Sequence, residues 1–107
     1  NFMRDFMYID DFTEIVFKII QNDNIKNTNI NIGSGKPIKI KYLAKKIHSQ
    51  ILQGKLELSR TFESDTKNVV KLYPNLLKLK KFFKNWKPKI NLDDGINSTI
   101  DYYKKIK

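Results

Sequence analysis

The chain has 107 residues, 21 of them Lys or Arg and 11 Asp or Glu, for a formal net charge of +10. That length holds one domain with a real core, not two domains of roughly 100–150 residues each, and 40% apolar with 30% charged residues is globular, not disordered, composition. The absence of Cys and the single histidine, His48, exclude a disulfide framework and make a Cys- or His-built zinc site implausible; no apolar run approaches the ~18 residues of a membrane-spanning helix. The chain opens Asn1-Phe2-Met3 rather than on Met, as expected of a piece of something longer.

In chain order, Phe6-Met7-Tyr8-Ile9 is a short apolar and aromatic run that predicts a strand. Asp10 and Asp11 follow, either of which can cap a helix by accepting orphan backbone N–H bonds. Phe12, Ile15, Val16, Ile19 and Ile20 recur at helical spacing as one stripe. A polar turn, Gln21-Asn22-Asp23-Asn24, ends it. Asn29-Ile30-Asn31-Ile32 alternates and reads as a strand, stopped by Gly33-Ser34-Gly35 and Pro37. Ile40, Leu43, Ala44, Ile47 and Ile51 form a second helical stripe, closed by Gly54 as a C-cap. Leu56-Glu57-Leu58 is a short strand candidate. Residues 61–70 lack a pattern and read as loop. Pro74 can open a helix at its first turn, with Leu76, Leu79, Phe82 and Phe83 as its apolar side. Pro88 blocks continuation of that helix. Asn91 starts a last helix with Asp94 in capping-box spacing, and Leu92, Ile96, Ile100 and Tyr103 line its expected buried face. Alternating strands and helices argue α/β, or α+β in isolation.

The charge is uneven. Only Arg4 and Arg60 are arginines, and eight lysines with no acidic residue fall between Lys67 and Lys89. Such a run can form an anion-binding face, but lysine runs more often only solubilise a surface. Scarce arginine also argues against base readout, where arginine dominates.

Gly33-Ser34-Gly35 after a strand invites a nucleotide-loop reading. The dinucleotide fingerprint needs a third glycine three positions on, where this chain has Ile38. The Gly-Lys-Ser/Thr ending of a phosphate loop is missing too, so the segment reads as a strand-ending turn. Tyr-x-x-x-Lys pairs, which place a phenol and an ammonium on one helix face, occur at Tyr42/Lys46 and Tyr103/Lys107. In a chain this rich in Tyr and Lys about one such hit arises by chance, and both read as decoys. Asp10, Asp11 and Glu14 could bind a divalent metal, but capping and helix-dipole compensation account for the two Asp more simply. His48 has no evident partner and reads as a surface or edge residue. Arg4 stands just before the aromatic run, and its planar guanidinium suits a bidentate phosphate contact; a structural pair with Asp5 is the other reading.

Three segments together resemble the C-terminal part of extended short-chain dehydrogenase/reductases, the nucleotide-sugar epimerases and dehydratases. They are Arg4-Asp5-Phe6-Met7-Tyr8-Ile9-Asp10-Asp11, then Asn31-Ile32-Gly33-Ser34-Gly35-Lys36-Pro37-Ile38 with Leu43-Ala44, then Trp86-Lys87-Pro88-Lys89-Ile90 with Leu92-Asp93-Asp94-Gly95-Ile96 and Thr99-Ile100. The resemblance implies a small substrate-binding lobe, mostly helices with a few short strands, spanning 1–107 as a single segment. It implies that Arg4 holds the diphosphate of a nucleotide sugar. It places Lys71 at a second basic position, with Asn75 where an Asp is usual and Lys78 at the motif's lysine. The family's cofactor loop and catalytic Tyr/Lys have no counterpart here, so NAD or NADP is expected in the intact parent enzyme and not on this segment, which should be inactive alone.

The resemblance also implies that the helix from Asp11 and the strand ending at Ile32 pack on an absent N-terminal Rossmann domain. The apolar surface left exposed would favour self-association. The expected setting is the cytoplasm, with a nucleotide-sugar substrate and without membrane or nucleic acid as partner. The alternative is a small basic nucleic-acid-binding domain using the Lys67–Lys89 face.

Overall fold

A computed structural model describes residues 2–58 and 70–106. Its elements are β1 (Met3–Arg4), α1 (Ile9–Gln21), β2 (Ile38–Lys39), α2 (Ile40–Ile51), β3 (Lys71–Leu72), α3 (Leu77–Phe82) and α4 (Leu92–Lys105). The protein is a small, helix-rich lobe with a few short strands, as the resemblance implies.

The sheet is a three-stranded ribbon in the order β2-β1-β3. β1 pairs antiparallel with β2, Met3 opposite Lys39 and Arg4 opposite Ile38. It pairs parallel with β3, Met3 beside Lys71 and Arg4 beside Leu72. The Met3 N–H also donates to the Val70 carbonyl at 2.8 Å, and the Ile40 N–H to Phe2 at 2.8 Å. The aromatic run Phe6–Ile9 is therefore not the strand. Pairing uses the two residues before Asp5, and the run turns into α1 at Ile9. β2 and β3 are too short to show alternation, which is why periodicity does not find them.

Asn29–Ile32 joins no ladder among the described residues. Leu56–Leu58 is likewise not a strand. The stretch 61–70 lies outside the described residues except for Val70.

The cap of α2 also differs from expectation. It closes on Leu52 in the left-handed region (φ 60°), and Gly54 (φ 80°) sits two residues further on. His48 Nε2 lies 3.0 Å from the Gly54 carbonyl, so the lone histidine helps close this helix end. α4 starts as its capping pattern predicts, the Asp94 N–H donating to Asn91 Oδ1 at 2.8 Å. Asn75 Oδ1 accepts the Leu77 N–H at 2.9 Å, so the Asn caps the first turn of α3.

α2 packs on α4. Among the described residues the buried apolar side chains are Ile15, Leu79 and Ile96, one each from α1, α3 and α4. Tyr103, read as a core residue of α4, is 59% exposed and stacks edge-on against Tyr102 at 5.5 Å.

Candidate functional site

Two carboxylates organise the centre of the lobe. Asp5, directly after β1, accepts from the turn Gly33-Ser34-Gly35. The Ser34 N–H donates to Oδ1 at 3.0 Å and the Gly35 N–H to Oδ2 at 3.0 Å, and the Ser34 hydroxyl also donates to Oδ1. Gly33 is needed because the turn runs hard against its neighbours. A Cβ there would lie 2.5 Å from Pro74 Cγ and 2.7 Å from Asp5 Oδ2. The turn is an anion-binding nest, and the anion it holds is the protein's own Asp5. Its N–H groups are spent, which removes the nucleotide-loop reading on geometric grounds. Asp5 is thereby committed to the turn, and no ion pair between Asp5 and Arg4 is seen among the described residues.

Asp11 is the second clasp. It is 2% exposed, and it accepts the Lys89 N–H on Oδ1 and the Ile90 N–H on Oδ2, both at 3.0 Å. It does not cap α1, whose N-cap is Tyr8 with no side-chain bond. One turn on, Glu14 Oε1 accepts the Trp86 indole N–H at 3.0 Å, and Oε2 pairs with Lys89 Nζ at 3.1 Å. The Lys89 ammonium, and then the Trp86 indole, hold the Glu14 carboxyl below the ordinary carboxylate range. Asp11 and Glu14 thus staple Trp86-Lys87-Pro88-Lys89-Ile90 onto α1. These contacts explain the acidic residues that a metal reading would claim; among the described residues no group of three His, Cys, Asp or Glu is placed to hold an ion.

Arg4 lies on the central strand. Its Nη1 donates to the Met3 carbonyl at 2.7 Å and the Val70 carbonyl at 3.2 Å, and the guanidinium sits 5.7 Å from the Phe2 ring centre. These contacts tether Nη1 to the backbone of the ribbon. Lys71 is exposed on β3 next to Met3, not next to Arg4. Strand alternation therefore sets the two cations on opposite faces of the ribbon.

Tyr42 and Lys46 do meet, with the ammonium 5.3 Å from the ring centre. Lys46, however, is bound to Asp93 on α4, and that hydrogen bond first, with a smaller one from Tyr42, raises its pKa. The pair ties α2 to α4, which agrees with its reading as a decoy. Lys107 of the second pair lies outside the described residues.

The described lysines of the run are spread over β3, α3 and the segment up to Ile90. Lys67 lies outside the described residues, Lys71 is on β3, Lys78 Nζ is anchored by Thr28 Oγ1 and the Asn29 carbonyl at 2.9 Å each, and Lys89 is paired with Glu14. Sequence reasoning missed the two clasps, although Asp5 and Asp11 are both inside the first motif. Nothing local signals them, because their partners stand 29 to 79 residues away.

No family model matches the chain. In sequence and fold it is nevertheless similar to about a third of the length of nucleotide-sugar synthases, epimerases, dehydratases and reductases. In particular, it is 30% identical over 105 residues to GDP-L-fucose synthase 1 of Arabidopsis thaliana, covering 96% of this chain and 30% of that protein. It is 35% identical over 104 residues to GDP-L-colitose synthase of Yersinia pseudotuberculosis, covering 94% and 31%.

Among solved structures, the GDP-mannoheptose C4 reductase from Campylobacter jejuni with NADP bound superposes with a TM-score of 0.72 at 31% identity, over 96% of this chain and 32% of that one. The dTDP-glucose 4,6-dehydratase from Bacillus anthracis in complex with NAD shares the fold, with a TM-score of 0.74 at 20% identity over 97% and 32%. The chain spans about a third of the length of the relatives it matches. The residues described do not fit a dinucleotide, since the one glycine turn after an extended segment is filled by Asp5.

Proposed function

We propose that this segment is the substrate-side part of an NAD(P)-dependent nucleotide-sugar epimerase, dehydratase or reductase, and that it positions the sugar-nucleotide diphosphate. Arg4 carries the contact. Its Nη1 is tethered to the Met3 and Val70 carbonyls at the centre of the ribbon, which restrains the side chain as phosphate binding favours. Lys71 is the weaker second contact, a point charge on the neighbouring strand and on the other face of the ribbon from Arg4. The relatives named for GDP sugars support this substrate class. Hydride transfer at the sugar and the tyrosine acid/base belong to the part of the enzyme outside this segment. The segment alone is inactive, because it supplies neither cofactor site nor base.

The extended stretch before Gly33 and the exposed side of α1, with Ile9 at 60% and Ile20 at 73% exposure, face the Rossmann domain in this reading. The test is an amide-shift titration of the chain with GDP-, UDP- and dTDP-sugars, then with duplex DNA. Saturable shifts around Arg4 with one sugar nucleotide are expected, and Arg4→Ala should weaken that binding about tenfold or more, the value of one charge-assisted contact. Shifts from DNA across the lysines, with none from sugar nucleotides, would overturn the reading.

A further inference from the structure

A cavity of 190 Å³ lies between α2, α4 and the chain at Phe6, Met7 and Tyr8. Its apolar wall is Phe6, Leu43, Ile47, Leu92, Ile96 and Ile100. Ile96 is buried and the other five are half-buried, and of all the residues around the cavity only Asn91 and Thr99 are exposed. On one side the packing is tight. Gly95 is buried, and a Cβ there would lie 3.4 Å from Tyr8 Cβ, so Tyr8 rests against the backbone of α4. On the other side it is not. α2 holds no fully buried side chain, and its Leu43 and Ile47 meet α4 across the cavity. Protein interiors keep few voids larger than a water molecule, and this one is far larger.

Water is a poor occupant. Thr99 Oγ1 donates to the Gly95 carbonyl at 2.8 Å, and Asn91 Oδ1 accepts the Asp94 N–H at 2.8 Å. The Asn91 carbonyl accepts the Gly95 N–H at 2.9 Å, and the Tyr8 carbonyl accepts the Asp11 and Phe12 N–H groups at 3.1 and 3.2 Å. The polar groups beside the cavity are thus used inside α4 and the first turn of α1. An ordered water needs about two to four polar partners, and the wall offers mostly methyl groups and one aromatic ring.

From this combination we infer that the cavity between α2 and α4 binds a small, uncharged apolar molecule of the size of a single aromatic ring. A dry cavity of roughly 150 Å³ holds benzene, and this one is slightly larger. A charged or hydrogen-bonding guest would leave its polar atoms without partners. The guest supplies the dispersion contacts that the lining atoms lack while the space is unfilled. Neither Arg4 nor Lys71 lines the cavity, so the site does not depend on the diphosphate contact.

The experiment titrates the 107-residue chain with benzene and, separately, with phenol, and follows the methyl resonances and thermal unfolding. Benzene should give saturable shifts confined to Leu43, Ile47, Leu92, Ile96 and Ile100. It should also raise the melting temperature, as a ligand of the native state does. Phenol should bind about tenfold more weakly or worse, because its hydroxyl finds no partner. Ile47→Trp fills the cavity and should abolish the shifts at the remaining methyl groups, with the helical circular dichroism retained. Leu43→Phe is a milder filling change, which should weaken benzene binding about tenfold and keeps the test open if the tryptophan unfolds the chain. No saturation up to the solubility of benzene would overturn the inference. So would shifts spread over exposed methyl groups such as those of Ile20 and Leu52, equal binding of phenol and benzene, or undiminished binding in a folded, filled variant.

Discussion

The two sides of α1 are built on opposite rules. The inner side carries Asp11, Glu14 and Ile15, and each is committed: Ile15 is fully buried, and the two carboxylates hold Trp86, Lys89 and Ile90. The outer side carries Ile9, Phe12, Phe17 and Ile20, between 44% and 73% exposed. One helix thus has an apolar-polar side closed within the lobe and a second apolar side that stays exposed among the described residues. Burial alone does not hold this lobe together. With three buried apolar side chains among the described residues, polar clasps do much of the work of fixing its loops.

The comparison breaks most sharply at Asp11. Asp11→Ala leaves the Lys89 and Ile90 N–H groups without acceptors at a nearly dry site. Two bonds to a charged acceptor, at roughly 1.5–3 kcal/mol each, put the loss at about 3–6 kcal/mol. Urea unfolding of the substituted chain checks it, and a loss below about 1 kcal/mol would mean that the staple is ornamental. Asp11→Asn keeps one acceptor oxygen and should fall between.

Gly33→Ala tests the other clasp. The added methyl meets the Pro74 ring at 2.5 Å and an Asp5 oxygen at 2.7 Å, so turn and ring must part. Overpacking of this kind costs about 1–3 kcal/mol, read as a lowered melting temperature. An unchanged melting temperature would show that the turn can slide off Asp5.

What the sequence shows and what it hides divide along the same line. Helices α2 and α4 and the Asn91 cap are legible because their signals are local: a 3.6-residue period and a cap three residues from its target. The single stripe read on α1 splits, since Ile15 is buried while Phe12 and Ile20 are exposed, and periodicity cannot tell which part of a broad stripe finds a partner. Asn29–Ile32 alternates like a strand, yet no described strand lies beside it. A period of two reports suitability for pairing, and the pairing itself depends on a neighbour. The Asp5 and Asp11 clasps and the two-residue strands are set by contacts distant in sequence, so neither propensity nor spacing carries them. Arg4 is singled out both by its chemistry, as one of two arginines and just ahead of the aromatic run, and by the family resemblance.

Glu14 gives a smaller, pH-dependent effect on the inner side. Its carboxyl is held below the reference value of 4.5, first by Lys89 and then by Trp86. A depressed carboxyl stabilises the fold above its unfolded pKa, and the contribution fades as pH falls through the lower, folded value. Unfolding midpoints should therefore drop with pH below about 4.5, and Glu14→Gln should flatten that part of the profile. Equal slopes in both chains would remove Glu14 from the staple's energetics.

The smallest effect on stability belongs to the outer side, and there it is the informative one. Phe17 and Ile20 are 58% and 73% exposed, so Phe17→Lys with Ile20→Lys removes little buried area within the lobe. Surface changes of this kind stay within about 0.5 kcal/mol each. The same change should act strongly on association, because an uncovered apolar stripe drives self-contact and two added lysines oppose it by charge. Sedimentation velocity of the two chains over a range of concentrations separates these quantities. The expected result is unfolding curves that nearly coincide, with a sedimentation coefficient that rises with concentration only in the unsubstituted chain. A large loss of stability in the substituted chain would mean that the outer stripe is packed within the lobe after all. It would then abolish the distinction between the two sides of the helix, and with it the proposal that the outer stripe docks on another domain.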